Sequence, residues 1–153
     1  MRHRLIFILR VLLGVIFLYA AYTKLKESYL LFAMSIDSYQ ILPPDAVLSV
    51  ARILPWVELG IGLWLLIGWH VFPAAMAATV LLATFFGIMA FTYGRGVAID
   101  CGCFGLGEAM TWNTLLRDGT LVAASALLAI LGFRSENHRP HQLNSLADED
   151  PAA

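Results

Sequence analysis

Four long apolar runs, separated by short polar or proline-containing stretches, constrain this chain more than any other feature. They cover residues 5–22, 46–68, 71–93 and 113–133. About 20 apolar residues at ~1.5 Å rise cross a hydrocarbon layer, and within that layer a helix satisfies its own backbone polar groups. Composition agrees, with 59% hydrophobic and 14% charged residues, against roughly 45–50% and ~25% in soluble domains. The expected fold is all-α: an integral membrane four-helix bundle in one domain, residues 1–133. Residues 134–153 are charged, contain proline and end near Asp148-Glu149-Asp150, a composition that predicts a disordered tail. A net charge of −1 offers nucleic acid no electrostatic attraction.

The first run follows a short basic segment, as a secretory signal peptide would. A signal peptide's apolar core is ~7–15 residues and ends at a small-residue cleavage site. This run is longer, contains Arg10 and closes with Tyr22-Thr23-Lys24, so it reads as a retained first span with Arg10 snorkelling toward the head groups. Residues 24–45 form a connector rich in Tyr29, Leu30, Leu31, Phe32, Met34 and Ile36. Either a short interfacial helix begins after Ser28, or a loop packs on the bundle, and Pro43-Pro44 ends the segment.

The second run carries Arg52, Pro55 and Glu58, and Pro55 predicts a kink. Gly60 and Gly62 suit a close helix approach. The very short turn at Trp69-His70 makes the second and third spans antiparallel neighbours. Thr111 or Asn113 can cap the fourth span, and Trp112 sits where an interfacial aromatic belongs.

Four crossings put both termini on one side, with the 24–45 connector and the 94–111 segment together on the other. Arg2, Arg4, Arg10, Arg134 and Arg139 lie on the terminal side, and Lys24, Lys26, Arg52, Arg95 and Arg117 toward the other. That count is a tie. Arg52 and Arg117 fall inside spans, where acidic partners can hold them, and discounting them puts the termini in the cytoplasm. The chain is then a multi-pass inner (plasma) membrane protein whose lipid-facing surface meets the bilayer.

Both cysteines lie in Asp100-Cys101-Gly102-Cys103-Phe104-Gly105, on the periplasmic side in this orientation, where disulfides persist. Two extended residue steps span ~7 Å, beyond the usual ~4.4–6.8 Å between bridged α-carbons, so a Cys101–Cys103 disulfide needs a turn that Gly102 permits. Such a small ring is strained and therefore labile and oxidising, and it stabilises little because it closes so short a loop. Inert burial of two thiols, a fixed turn-stiffening disulfide and half of a metal site compete with the redox reading. The metal reading is weakest, because His3, His70, His138 and His141 all fall on the terminal side. Glu58, Arg52, Arg117 and Asp118 are charges within spans, where such groups are rare and paired or functional. Arg52 and Arg117 are expected to pair with Glu58 and Asp118 across the second and fourth spans, as a register clamp or a proton path. Glu58 and Arg117 are the candidates for supporting charge beside the thiols.

These residues also resemble a known family. Gly14, Thr23-Lys24-Leu25, Tyr39-Gln40-Ile41-Leu42-Pro43, Leu54-Pro55-Trp56-Val57-Glu58-Leu59-Gly60, Gly62, Gly68, the Asp100–Gly105 stretch, Trp112 and Arg117-Asp118 occur in the order seen in the MauE branch of the DoxX-like membrane proteins. The likeness covers most of residues 8–133. It implies a four-helix membrane protein linked to thiol–disulfide chemistry, in company with thioredoxin-like partners. MauE itself is associated with making methylamine dehydrogenase, whose exported small subunit is rich in disulfides. A looser likeness links the chain to quinone-coupled disulfide oxidases of the DsbB and vitamin K epoxide reductase types. Those use two cysteine pairs, and this chain has one, so it lacks an internal relay; no cofactor is evident, and quinone stays open as a cofactor but without support.

The leading expectation is a membrane thiol–disulfide redox protein. Its Cys101/Cys103 pair exchanges with a thioredoxin-like or disulfide-containing exported protein, with Glu58 and Arg117 in support. The alternative is a non-enzymatic membrane scaffold or assembly subunit with a structural cysteine loop. A small-molecule carrier is the weakest of the three.

Overall fold

The computed structural model describes residues 2–96 and 111–137. Five helices account for nearly all of them: α1 (Arg2–Lys26), α2 (Tyr29–Asp37), α3 (Pro44–Ile67), α4 (Val71–Gly94) and α5 (Trp112–Asn137). Four of them, all except α2, are long and apolar enough to cross a membrane, and the described residues contain no strand. The all-α, four-span expectation holds. The helices outrun the apolar runs because helical hydrogen bonding continues past the last apolar residue, carrying α1 through Lys26 and α5 to Asn137.

Side by side, α1 packs most extensively on α3 and α4 on α5, and thinner contacts of α1 with α5 and α3 with α4 close the ring. The short turn does make α3 and α4 neighbours, but theirs is the thinnest of the four sides. Small residues bring the backbones together. A Cβ on Gly14 would stand 3.2 Å from the Gly62 carbonyl oxygen, and one on Gly62 would stand 3.1 Å from that of Gly14. A Cβ on Gly60 would meet nothing within 4 Å, so of the expected glycine pair only Gly62 serves the approach, with Gly14 opposite. Ala74, Ala75 and Ala78 of α4 are fully buried with Leu13, Phe17, Leu65 and Leu128, and this is the bundle's main core.

The Gly14–Gly62 contact sets an antiparallel register in which the end of α1 faces the middle of α3. The first turns of α3 therefore run past α1, and α2 folds back to cover them: Phe32 and Ala33 bury against Val47, Ala51 and Leu54. The connector thus holds a helix after Ser28, as one of the two readings had it; the packed-loop reading is overturned in its conformation, though the segment does pack on the bundle. Pro43-Pro44 does not stop this helix. α2 ends at Asp37, the chain turns through Gln40 at a positive φ of 54°, and Pro44 occupies the first turn of α3 with Pro43 as N-cap. Proline is well suited there because its missing N–H has no helical partner to lose.

At the opposite end, Gly68 takes the left-handed conformation that terminates α3, and its N–H donates to the Trp64 carbonyl. Arg10 lies against Gly68, with its guanidinium 5.5 Å from the centre of the Phe7 ring. A cation beside the carboxyl end of a helix is favourably placed, so Arg10 reaches the terminal face as a snorkelling residue should. His3, Ile6, Gly68, His70, Gly132 and Ser135 line one recess there. The start of α1, end of α3, start of α4 and end of α5 consequently share a face. At the other face, Thr111 caps α5 by accepting from the Thr114 N–H at 3.4 Å; Asn113 is already inside the helix. Trp69 and Trp112, at opposite faces, are 72% and 61% exposed, as interfacial anchors are.

Candidate functional site

A carboxylate in an apolar span needs a counter-charge, and Glu58 finds it in Lys24. The Lys24 ammonium donates to both carboxylate oxygens, at 2.8 and 2.9 Å. Both residues are 5% exposed. The register explains the pairing: Glu58 lies fourteen positions into α3, but α3 overhangs α1, so Glu58 comes level with the last turn of α1. Lys24 also stands 5.4 Å from the Phe32 ring centre, so α2 roofs the pair. Buried charges are tolerated when paired and hydrogen-bonded, and losing one partner strands the other at a cost of several kcal/mol.

The expected partners of Glu58 are elsewhere. Arg52 is exposed, with its guanidinium 5.2 Å above the Tyr29 ring. Arg117 bonds its own neighbour, Nε donating to Asp118 Oδ1 at 3.1 Å, and its side chain is 37% exposed. The pairing across the second and fourth spans is thus replaced by a link between the first and second spans and a local pair on α5. Sequence reasoning misses Lys24 because the apolar run ends before it, which assigns it to the connector. The signal that points to it is the demand of Glu58 for a cation, weighed against how far α1 extends.

Glu58, Lys24 and Asp118 line one cavity of about 160 Å³ between the helices. Its remaining wall is apolar and aromatic, including Phe17, Phe32, Phe85, Phe86 and Leu121, with Ser35 and Tyr39 from the α2 region. Asp118 is 6% and Ser35 7% exposed. Arg117 is not among the lining residues, so of the two supporting charges only Glu58 reaches this space.

Cys101, Gly102 and Cys103, with Asp100, Phe104 and Gly105, lie outside the described residues, as do His138, His141 and the rest of the expected 134–153 tail beyond Asn137; its first four residues, 134–137, continue α5 instead. Their flanks are described. α4 ends at Gly94, and Thr111 opens α5. Both stand at the face where α1 ends, while His3 and His70 stand at the other.

A family profile described as "Methylamine utilisation protein MauE" matches residues 2–131. A curated protein named methylamine utilization protein MauE, from Paracoccus denitrificans, is 35% identical over 124 residues, covering 79% of this chain and 66% of its own length. The protein of the same name from Methylorubrum extorquens is 32% identical over 115 residues, covering 73% and 61% respectively. That from Methylophilus methylotrophus is 39% identical over 69 residues, covering 44% and 36%. The chain spans just under two thirds or less of the length of these relatives. No solved structure matches it.

Proposed function

This chain belongs to the MauE family of multi-pass membrane proteins, and we propose that it is a thiol–disulfide exchange protein serving the maturation of exported proteins. The methylamine link in its relatives' name and the wider DoxX-like kinship enter as part of this reading. Cys101 and Cys103 are the exchanging pair. In the oxidised form a partner thiolate attacks one sulfur, the Cys101–Cys103 bond breaks, and the departing thiolate takes up a proton. A second partner thiol then resolves the mixed disulfide, so the partner loses two electrons and the cysteine pair gains them. The partner is thioredoxin-like or a disulfide-containing exported protein, met on the periplasmic side of the inner membrane, with the termini cytoplasmic.

The observation that carries this reading is the minimal Cys-Gly-Cys spacing in the segment joining α4 to α5. Its support is that the helix ends bounding that segment share a face with the buried Lys24–Glu58 pair. Glu58 acts there as a held carboxylate that fixes the local field, and Arg117 as a cation at the mouth of α5.

Alkylation of membranes equilibrated in graded thiol buffers reads the state of the pair directly. A transition between reduced and oxidised forms is expected, and Cys101→Ser or Cys103→Ser should trap a partner as a mixed disulfide. If the pair never changes state and neither variant captures anything, the scaffold alternative stands, with Lys24–Glu58 as its helix clamp.

A further inference from the structure

The cavity beside Lys24 and Glu58 has a size and a polarity that the thiol chemistry does not use. Its volume is about 160 Å³. An apolar protein cavity of roughly 150 Å³ accepts one benzene ring, so this space matches a single six-membered ring. Phe32, Phe85 and Phe86 stand in its wall, and aromatic rings favour offset or edge-on contact with another ring. The wall is not uniform. Lys24, Ser35, Glu58 and Asp118 all line it and all are at least nine-tenths buried. Lys24 and Glu58 touch each other, and with Ser35 and Asp118 they set a few donors and acceptors into an otherwise apolar wall. Ligand sites are built in this way, an apolar enclosure with a few convergent polar groups that fix orientation.

An entrance is also present. Ile41 and Leu42, in the connector between α2 and α3, line the cavity and are 45% and 40% exposed. An apolar tail can leave past these exposed apolar side chains, which a fully enclosed cavity would forbid.

We propose that this cavity binds the head of a membrane amphiphile whose head is one oxygen-bearing six-membered ring, as in quinones and phenolic lipids. The oxygen substituents meet the polar side chains that line the wall, Lys24 and Glu58 first among them, the ring lies among the phenylalanines, and the tail leaves past Ile41 and Leu42. Binding here is independent of the cysteines and stands or falls apart from the exchange reading.

The test uses the full chain in lipid nanodiscs, with Cys101→Ser/Cys103→Ser as the background so that no thiol chemistry intervenes. Three probes share one tail: decyl-1,4-benzoquinone, its hydroquinone and decylbenzene. At least one oxygenated probe is expected to bind ten-fold or more tightly than decylbenzene. Which of the two leads separates a carbonyl-accepting from a hydroxyl-donating head. Equal binding of all three, or none, overturns the proposal, and equal binding identifies the space as an acyl-chain slot. Ala20→Phe and Leu121→Trp fill the cavity from α1 and α5 and should abolish the preference. Lys24→Met/Glu58→Leu, which removes both charges together, should bring the oxygenated probes down to decylbenzene. A filling variant that stays helical and monodisperse yet keeps the full preference places the binding elsewhere and overturns it. The comparison of probes on the unfilled protein decides the matter even where a variant fails to fold.

Discussion

Lys24 and Glu58 are worth more as a pair than either is alone. The ammonium and carboxylate are almost completely withdrawn from solvent, so removing one leaves a buried charge without its partner. Lys24→Met alone or Glu58→Leu alone is expected to destabilise the protein by about 3–5 kcal/mol, whereas removing both at once is near neutral. A double-mutant cycle on unfolding in detergent measures this, and additive single effects would refute the coupling. Arg52→Ala is the contrasting case. Its exposed cation–π contact with Tyr29 predicts a loss of no more than about 1 kcal/mol. Reading residues alone gets half of this right. That Glu58 needs a cation follows from its place in an apolar run, but the sequence offers Arg52 and Arg117 inside the spans and leaves Lys24 in the connector. Helix register decides among them, and register depends on two glycines forty-eight positions apart.

At the scale of the element, the α1–α3 seam rests on Gly14 and Gly62. Gly62→Val puts a branched side chain 3.1 Å or less from the backbone of α1 and must separate the helices. Gly60→Ala meets nothing within 4 Å and gains helix propensity of up to ~1 kcal/mol. The expected result is sharp loss of thermal stability for Gly62→Val and none for Gly60→Ala, read by unfolding midpoint in detergent. Equal effects would mean that the seam does not run through Gly62. The existence of the long helices is plain from the apolar runs, since each span has the length a bilayer demands. The role of Pro43-Pro44 is not: proline breaks a helix from inside and begins one at its first turn, and only the folded-back path of α2 shows which applies. Nor does the pattern of apolar residues reveal that α2 covers the overhang of α3, because its exposed Leu30 and Met34 look as greasy as its buried Phe32.

For the whole molecule, two faces follow from four spans. One gathers Arg10, Gly68, His70 and Ser135; the other gathers the ends of α1 and α4 and the start of α5. The cavity, the buried ion pair and the flanks of the cysteine segment belong to the second face or to the bundle just beneath it. That distribution, with the cysteine segment's flanks and buried charges at one end and His3 and His70 at the other, is legible from chain order, since parity of crossings fixes it without side-chain detail. The cavity is not legible, because its wall draws on all five helices and no single run displays it. The two-face arrangement is directly testable. In the Cys101→Ser/Cys103→Ser background, a cysteine is placed at Lys26, Trp112 or Trp69, and intact cells are treated with a membrane-impermeant maleimide. Lys26→Cys and Trp112→Cys should label alike, and Trp69→Cys should label only after the membrane is permeabilised. Labelling of Lys26→Cys and Trp112→Cys from opposite sides would break the parity. Labelling of Trp69→Cys alone would keep the bundle but invert it, which would put the cysteines in the reducing cytosol and remove the setting in which a disulfide persists. Orientation therefore decides whether the exchange chemistry has an oxidising compartment to work in.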